Sequence, residues 1–370
     1  MKILVIGEGS VADEVRSFAA VRAINGLTYK GETWETEIEL LPIHGGVVNI
    51  KQDIDVLIYS RPMSVGVLEE YRKTGTRIII DQDDDFASIP PTHIAYKNIG
   101  PSSPTIAEHR RALALADYQI FSTDEIASRL ATRPYTVIPN GWDEKNPNWN
   151  INTSFDGVVI GWGGTQTHRE DFKQVVLPLH RILDEYPETR LHIAGDPVVY
   201  KMFRNIPEGR KMFFYWFNYE DYPIFLRQLD ILIAPLINDA FNRAKSDIKL
   251  VEAGAAGVPW IASMVTPYLT WDIHSGVFAT TEDEWYLRLK TLVEKKEIRE
   301  RLGSQGRMHA QNRTFEILHP LWVNTIAHVM EMSNENLVPL QRQPEGVELQ
   351  RVEGDGASPS NQQSKRRRHR

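Results

Sequence analysis

Twice along this chain, a series of short apolar runs alternates with longer amphipathic stretches, the pattern of strand-helix units wound around a mainly parallel sheet. The first series has its apolar runs at 2–6, 56–59, 77–80, 118–122 and 136–138, with helical patterns at 65–74 and 105–116. The second has them at 157–161, 190–194, 212–214, 231–234 and 260–262, with helical patterns at 170–186, 222–229 and 249–256. At 370 residues the chain exceeds what one hydrophobic core commonly holds, so the two series read as two α/β domains. Between them PNGWDEKNPNWNINTSFDG is rich in Asn, Gly and Pro, as a linker is, and places the boundary near residue 150.

The expected architecture is therefore two Rossmann-like domains, residues 1–150 and 151–332, facing each other across a cleft. Helical patterns at 282–303 and 319–332 close the second domain. From residue 333 the composition turns to Glu, Gln, Pro, Gly and Ser and ends in SKRRRHR, so 333–370 is expected to be a disordered, basic-ended tail. The chain has no cysteine, which removes disulfides, thiolate metal sites and thiol catalysis together. No run of about 18 apolar residues could span a bilayer, and MKILVIGEGS lacks a signal-peptide core, so a cytoplasmic protein is expected. A net charge of -7 argues against a surface coated for nucleic acid, although the basic run 365–370 could touch nucleic acid or an anionic surface.

Ligands of open α/β sheets bind beyond the carboxyl ends of the strands, so the loops that follow the strands carry the chemistry. Residues 242–263, NRAKSDIKLVEAGAAGVPWIAS, run from a loop into a helix and then a buried strand. A helix start offers unpaired N–H groups and a positive dipole end to a pyrophosphate, and Lys245 and Lys249 would add point charges there. Read alone, the same residues also suit a solvated lysine pair with a surface acid. Residues 158–171, VVIGWGGTQTHRED, form a strand running into a glycine loop: Gly163 and Gly164 let backbone approach a ligand, and Thr165 could cap or bind phosphate. A third stretch, VIPNGWD at 137–143, has Pro, Asn and Gly to end a strand and set a hinge. A fourth, IIIDQDDDF at 78–86, packs four carboxylates at the end of an apolar strand, which calls for a cation, a base or water nearby. The glycine run GEGSVA at 7–12 mimics a dinucleotide fingerprint, but an oxidoreductase would need an acidic residue about twenty residues on at the end of the next strand, and the candidates Glu37 and Glu39 lie beyond that.

In this order the pieces resemble retaining glycosyltransferases of family 4, the group 1 enzymes of GT-B fold, over most of residues 115–265. The resemblance implies transfer of a sugar, with retention, from a nucleotide-sugar donor held by the second domain, UDP- or GDP-sugar preferred. It implies Glu252 as ribose ligand, with Gly163, Gly164, Thr165, His168, Asn242 and Ser246 around the donor. Lys245, Lys249 and Arg169 would stabilise the departing diphosphate, the largest catalytic term in such chemistry. Gly9, Ser10, Asp83, Asp84 and His93 fall on the acceptor side. No cofactor and no metal is implied, because GT-B enzymes meet the diphosphate with helix dipoles and basic residues; acceptor contacts or loop capping are thus favoured for the acidic run over a Mg²⁺ or Mn²⁺ site. The chain departs from the family at Ala244, eight before Glu252, where a sugar-contacting Glu is common. That departure keeps two rivals open, a non-catalytic nucleotide-sugar-binding protein and a GT-B nucleotide-sugar epimerase. The acceptor is unassigned, with modified DNA and a lipid-linked glycan among the candidates.

Overall fold

The computed structural model describes residues 1–332 apart from 42–48, 63, 64, 152, 154, 216 and 272. The tail at 333–370, including the basic run 365–370, lies outside the described residues.

The first sheet has six parallel strands: β1 Lys2–Gly7, β2 Glu35–Leu40, β3 Val56–Ser60, β4 Arg77–Gln82, β5 Tyr118–Phe121 and β6 Tyr135–Val137, in the order β2-β1-β3-β4-β5-β6. Its four inner strands are buried on both faces, which is why 78–80 reads as unbroken Ile rather than as an alternation. Ile3, Val5, Ile58 and Ile79 face helix Ser17–Ile24, while Leu4, Ile6, Leu57, Ile78 and Ile80 join the cluster that includes Leu68 and Tyr71 of helix Gly66–Lys73. β2 was not expected from its sequence ETEIEL, because it is an edge strand whose exposed positions carry the charges.

The second sheet repeats the plan with β7 Val159–Gly164, β8 Arg190–Gly195, β9 Lys211–Phe214, β10 Ile231–Ala234, β11 Trp260–Ser263 and β12 Gly276–Ala279, all parallel in the order β9-β8-β7-β10-β11-β12. This is the doubly wound order of a Rossmann domain, and its topological switch point lies between β7 and β10. In the first sheet the switch lies between β1 and β3.

The last described helix does not close the second domain, as its sequence position suggested. Helix Phe315–Glu331 returns to the first domain, where Trp322, Ile326 and Val329 join the core of Ile3 and Val5. The return is pinned at Trp142 of the linker, whose N–H donates to Arg313 O at 3.0 Å and whose C=O accepts from Phe315 N at 3.0 Å. Its indole N–H donates to Ala310 O at 2.8 Å.

Candidate active site

Packing forces the glycines at the end of β7. A Cβ on Gly163 would stand 2.5 Å from Tyr222 Oη, and one on Gly164 2.5 Å from the Trp162 ring. Across the switch point, helix Ile248–Ala256 starts one turn before Glu252 and ends at Gly257, whose φ of 69° supplies the left-handed cap before Pro259 turns the chain into β11. Lys249 and Glu252, three apart, share the face of this helix turned to Gly163. Lys249 Nζ donates to Gly163 O at 2.5 Å.

Glu252 is buried and Lys249 half-buried. Burial pushes the Glu252 carboxyl up to about 7 against the opposing pull of the Lys249 charge. Burial likewise draws the Lys249 ammonium down to about 8, with Glu252 holding it up and Lys245 pressing it further down. Among the described residues no donor hydrogen-bonds the Glu252 carboxylate, and neither group makes an ion pair.

The loop between β10 and this helix is anchored on Asp171. Its Oδ1 accepts from Ile237 N at 2.8 Å and Asn242 Nδ2 at 2.9 Å, while Oδ2 pairs with His168 Nδ1 at 2.9 Å. Burial draws the His168 imidazole down to about 4, outweighing the bond from Asp171, and Lys249 and Lys245 add to the fall. His168 is therefore neutral at pH 7, with the carboxylate holding its proton on Nδ1. Arg169 is engaged elsewhere, bidentate on Asp196 at 2.9 and 3.1 Å. Thr165 caps the turn that follows β7, accepting from Thr167 N at 3.2 Å.

Each carboxylate of the acidic run at the end of β4 faces a cation, although Arg61 is shared with Asp13 and Arg129 with Glu125. Asp81 receives the buried Arg16 guanidinium at 2.5 Å, Asp83 faces Arg61 at 3.6 Å, Asp84 faces Lys245 at 3.3 Å and Asp85 meets Arg129 at 3.0 Å. Burial pushes the Asp83 carboxyl up to about 6 although Arg61 opposes the shift. At the end of β1, Gly9 takes φ 71°, and Ser10 Oγ donates to Asp13 at 3.0 Å and accepts from Arg61 at 2.5 Å.

The two domains meet on the short helix Ala240–Ala244. Phe241 packs with Phe86, Ile89 and Ile106, and Ala244 with Phe121, Ile126 and Ala127. Thr123 Oγ1 donates to Ala244 O at 2.9 Å and Arg129 to Ala240 O at 2.7 Å. Next to it Asn140 of the hinge donates to Ser246 Oγ at 2.8 Å and accepts from Arg16 at 2.8 Å. His93 packs edge-on against Phe241, with ring centroids 5.2 Å apart.

With that geometry in place, the comparisons become informative. Residues 159–309 match the family model for glycosyl transferases group 1. Over that span the chain is similar to the group 1 glycosyltransferases. Its fold is GT-B, as in sucrose-phosphate synthase from Thermosynechococcus elongatus, which is 14% identical over 89% of this chain and 99% of that one at a TM-score of 0.62. HepE from Anabaena in complex with UDP-glucose is 12% identical over 89% of this chain and all of its own, at a TM-score of 0.65. A glycosyltransferase from Rickettsia africae gives 12% identity over 90% and 99% of the two chains, at 0.63. No curated protein matches the chain in sequence.

Of the residues singled out in the sequence, the glycosyltransferase domain brings Gly163, Gly164, Lys249 and Glu252 together directly. His168 and Asn242 join them through Asp171. Lys245 lies at the seam on Asp84, Ser246 is held by the hinge, and Gly9 with Ser10 closes the end of β1. Sequence reading passed over Asp171, though its spacing of three from His168 on a helix start was the available signal, and over Arg16, whose partner is 65 residues away. No helix among the described residues is long and apolar enough to cross a membrane.

Proposed function

We propose that this protein transfers a sugar from a UDP- or GDP-sugar to an acceptor, with retention, and that the donor lies between β7 and helix Ile248–Ala256. The observation that carries this reading is the pair of ion-pair-free groups on that helix: buried Glu252, a carboxylate with no donor among the described residues, suits ribose hydroxyls, and half-buried Lys249, an ammonium against the glycine turn, suits a diphosphate. HepE, with the same fold, was solved with UDP and with UDP-glucose, which supports a nucleotide-sugar donor here. Lys249 and Lys245 act on the leaving diphosphate as preorganised cations. Arg169, tied to Asp196, and neutral His168 shape the turn and contribute less charge on this reading, and no metal is required.

The acceptor binds on the side of Ser10, Asp83, Asp84 and His93, and the run 365–370 recruits it if it is a polyanion. The test is calorimetry with UDP, GDP and ADP, followed by incubation of the corresponding glucose donors with candidate acceptors and NMR of the new anomeric centre. A bound diphosphate, and a product keeping the donor's anomeric configuration, is the expected result. Failure of all three diphosphates to bind overturns the reading; binding with isomerised donor and no transfer favours an epimerase.

A further inference from the structure

A pocket of about 230 Å³ opens where the two domains meet, walled by 90–94 of the first and by 166–171 and 237–242 of the second. It lies one side chain away from Lys245. Phe241 lines it, and the same ring carries Lys245 Nζ at 4.3 Å from its centroid. A diphosphate held between Lys245 and Lys249 therefore presents whatever is bonded to it to the mouth of this pocket.

The charges of the lining are unequal in availability. Arg169 is committed to Asp196, and Glu170 shares its charge with Lys173 at 2.7 Å. Burial and the nearby Lys245 hold the His93 imidazole below its usual range, so it adds no positive charge at neutral pH. Asp171 has its three protein donors. Asp239 is different: Oδ1 accepts from Asn242 N at 2.8 Å, and Oδ2 has no donor among the described residues. The pocket thus offers a carboxylate acceptor and neutral polar groups, but no cation free of a partner among its described lining residues.

We infer that this pocket receives the transferred sugar of the donor, that Asp239 accepts hydrogen bonds from the sugar's hydroxyls, and that sugars bearing a carboxylate or phosphate are excluded. The inference rests on the donor-site reading above. A neutral polyol finds acceptors here, whereas an added anion would lose its water beside two carboxylates and gain no counter-charge. The arrangement also accounts for Ala244. That position is turned into the first domain against Phe121 and Ile126, so a carboxylate there could not face the sugar, and Asp239 supplies one from the start of the same segment.

The test is calorimetry on the full chain with UDP, with UDP-glucose, UDP-galactose and UDP-N-acetylglucosamine, and with UDP-glucuronate; the GDP or ADP series is used if one of those is the diphosphate that binds. The best neutral sugar nucleotide should bind at least tenfold more tightly than the glucuronate. In Asp239→Asn, which keeps a capping side chain and hence the fold, that gap should close to threefold or less, with thermal melting unchanged. Equal affinity for neutral and acidic sugars in the parent, or an unchanged gap in the variant, overturns the assignment while leaving diphosphate binding intact. If no diphosphate binds, the donor-site reading has failed and this one falls with it.

Discussion

The ends of β4 and β7 both concentrate charge at a domain interface, and they treat it in opposite ways. At β4 each of four neighbouring carboxylates faces a cation, Arg61 being shared with Asp13 and Arg129 with Glu125, and the pair of Asp81 with Arg16 is buried on both sides. At β7 the helix opposite presents buried Glu252 and half-buried Lys249, without an ion pair among the described residues. A completed pair has spent its charge on the fold, whereas an unpaired buried charge is kept at a cost that a ligand can relieve. The difference separates Asp81 and Arg16, which hold the fold, from Lys249 and Glu252, which are left open to a ligand.

The sharpest way to break this comparison is to remove one cation from each region. Arg16→Met leaves Asp81 buried without a partner and should cost about 3–5 kcal/mol of unfolding free energy, whereas Lys249→Met should stay within about 1 kcal/mol of the parent while abolishing diphosphate binding. Urea denaturation with parallel calorimetry decides it, and equal stability losses would erase the distinction.

The pH dependence of binding comes next in size. Glu252 must be ionised to accept from ribose hydroxyls and Lys249 protonated to meet phosphate. With the carboxyl raised to about 7 and the ammonium lowered to about 8, affinity should climb as pH rises through the first value and decline beyond the second. Stability moves the other way on the acid side. Between the ordinary 4.5 and about 7 the folded Glu252 binds a proton that the unfolded chain does not, so its contribution falls as pH rises. Glu252→Gln should remove that slope and the acid limb together, and weaken UDP by roughly 1.5–3 kcal/mol. A binding profile flat from pH 6 to 9 would count against both assignments.

The smallest effect is expected at Asp84→Asn. Its pair with Lys245 is part-exposed, so stability should change by at most about 1 kcal/mol. A larger loss, read by thermal melting, would mean that Asp84 belongs with Asp81 in holding the fold.

Most of both sheets could be read from the chain because buried parallel strands announce themselves as apolar runs. The exceptions were β2, an edge strand written largely in Glu and Thr, and β12, four residues that begin with Gly. The segment order around the donor loop was equally visible, and it led to Lys249 and Glu252. What could not be read was pairing. Nothing near Arg169 in sequence announces Asp196, and the cations of the acidic run come from positions 16, 61, 129 and 245. Such partners are set by how the sheets wind, so a list of charged residues leaves open which are occupied. The same holds for Ala244, whose side chain turns toward the first domain because a helix only five residues long docks there.

That short helix has a mechanical consequence. It is cemented to one domain by Phe241, Ala244, Thr123 and Arg129, yet it is spliced directly into the loop that carries Lys245 and Ser246 of the other. The two domains cannot swing apart as free jaws around Asn140 without either stretching that loop or prising the helix from its socket. Opening the domains and reshaping the loop of Lys245 and Ser246 are therefore one motion.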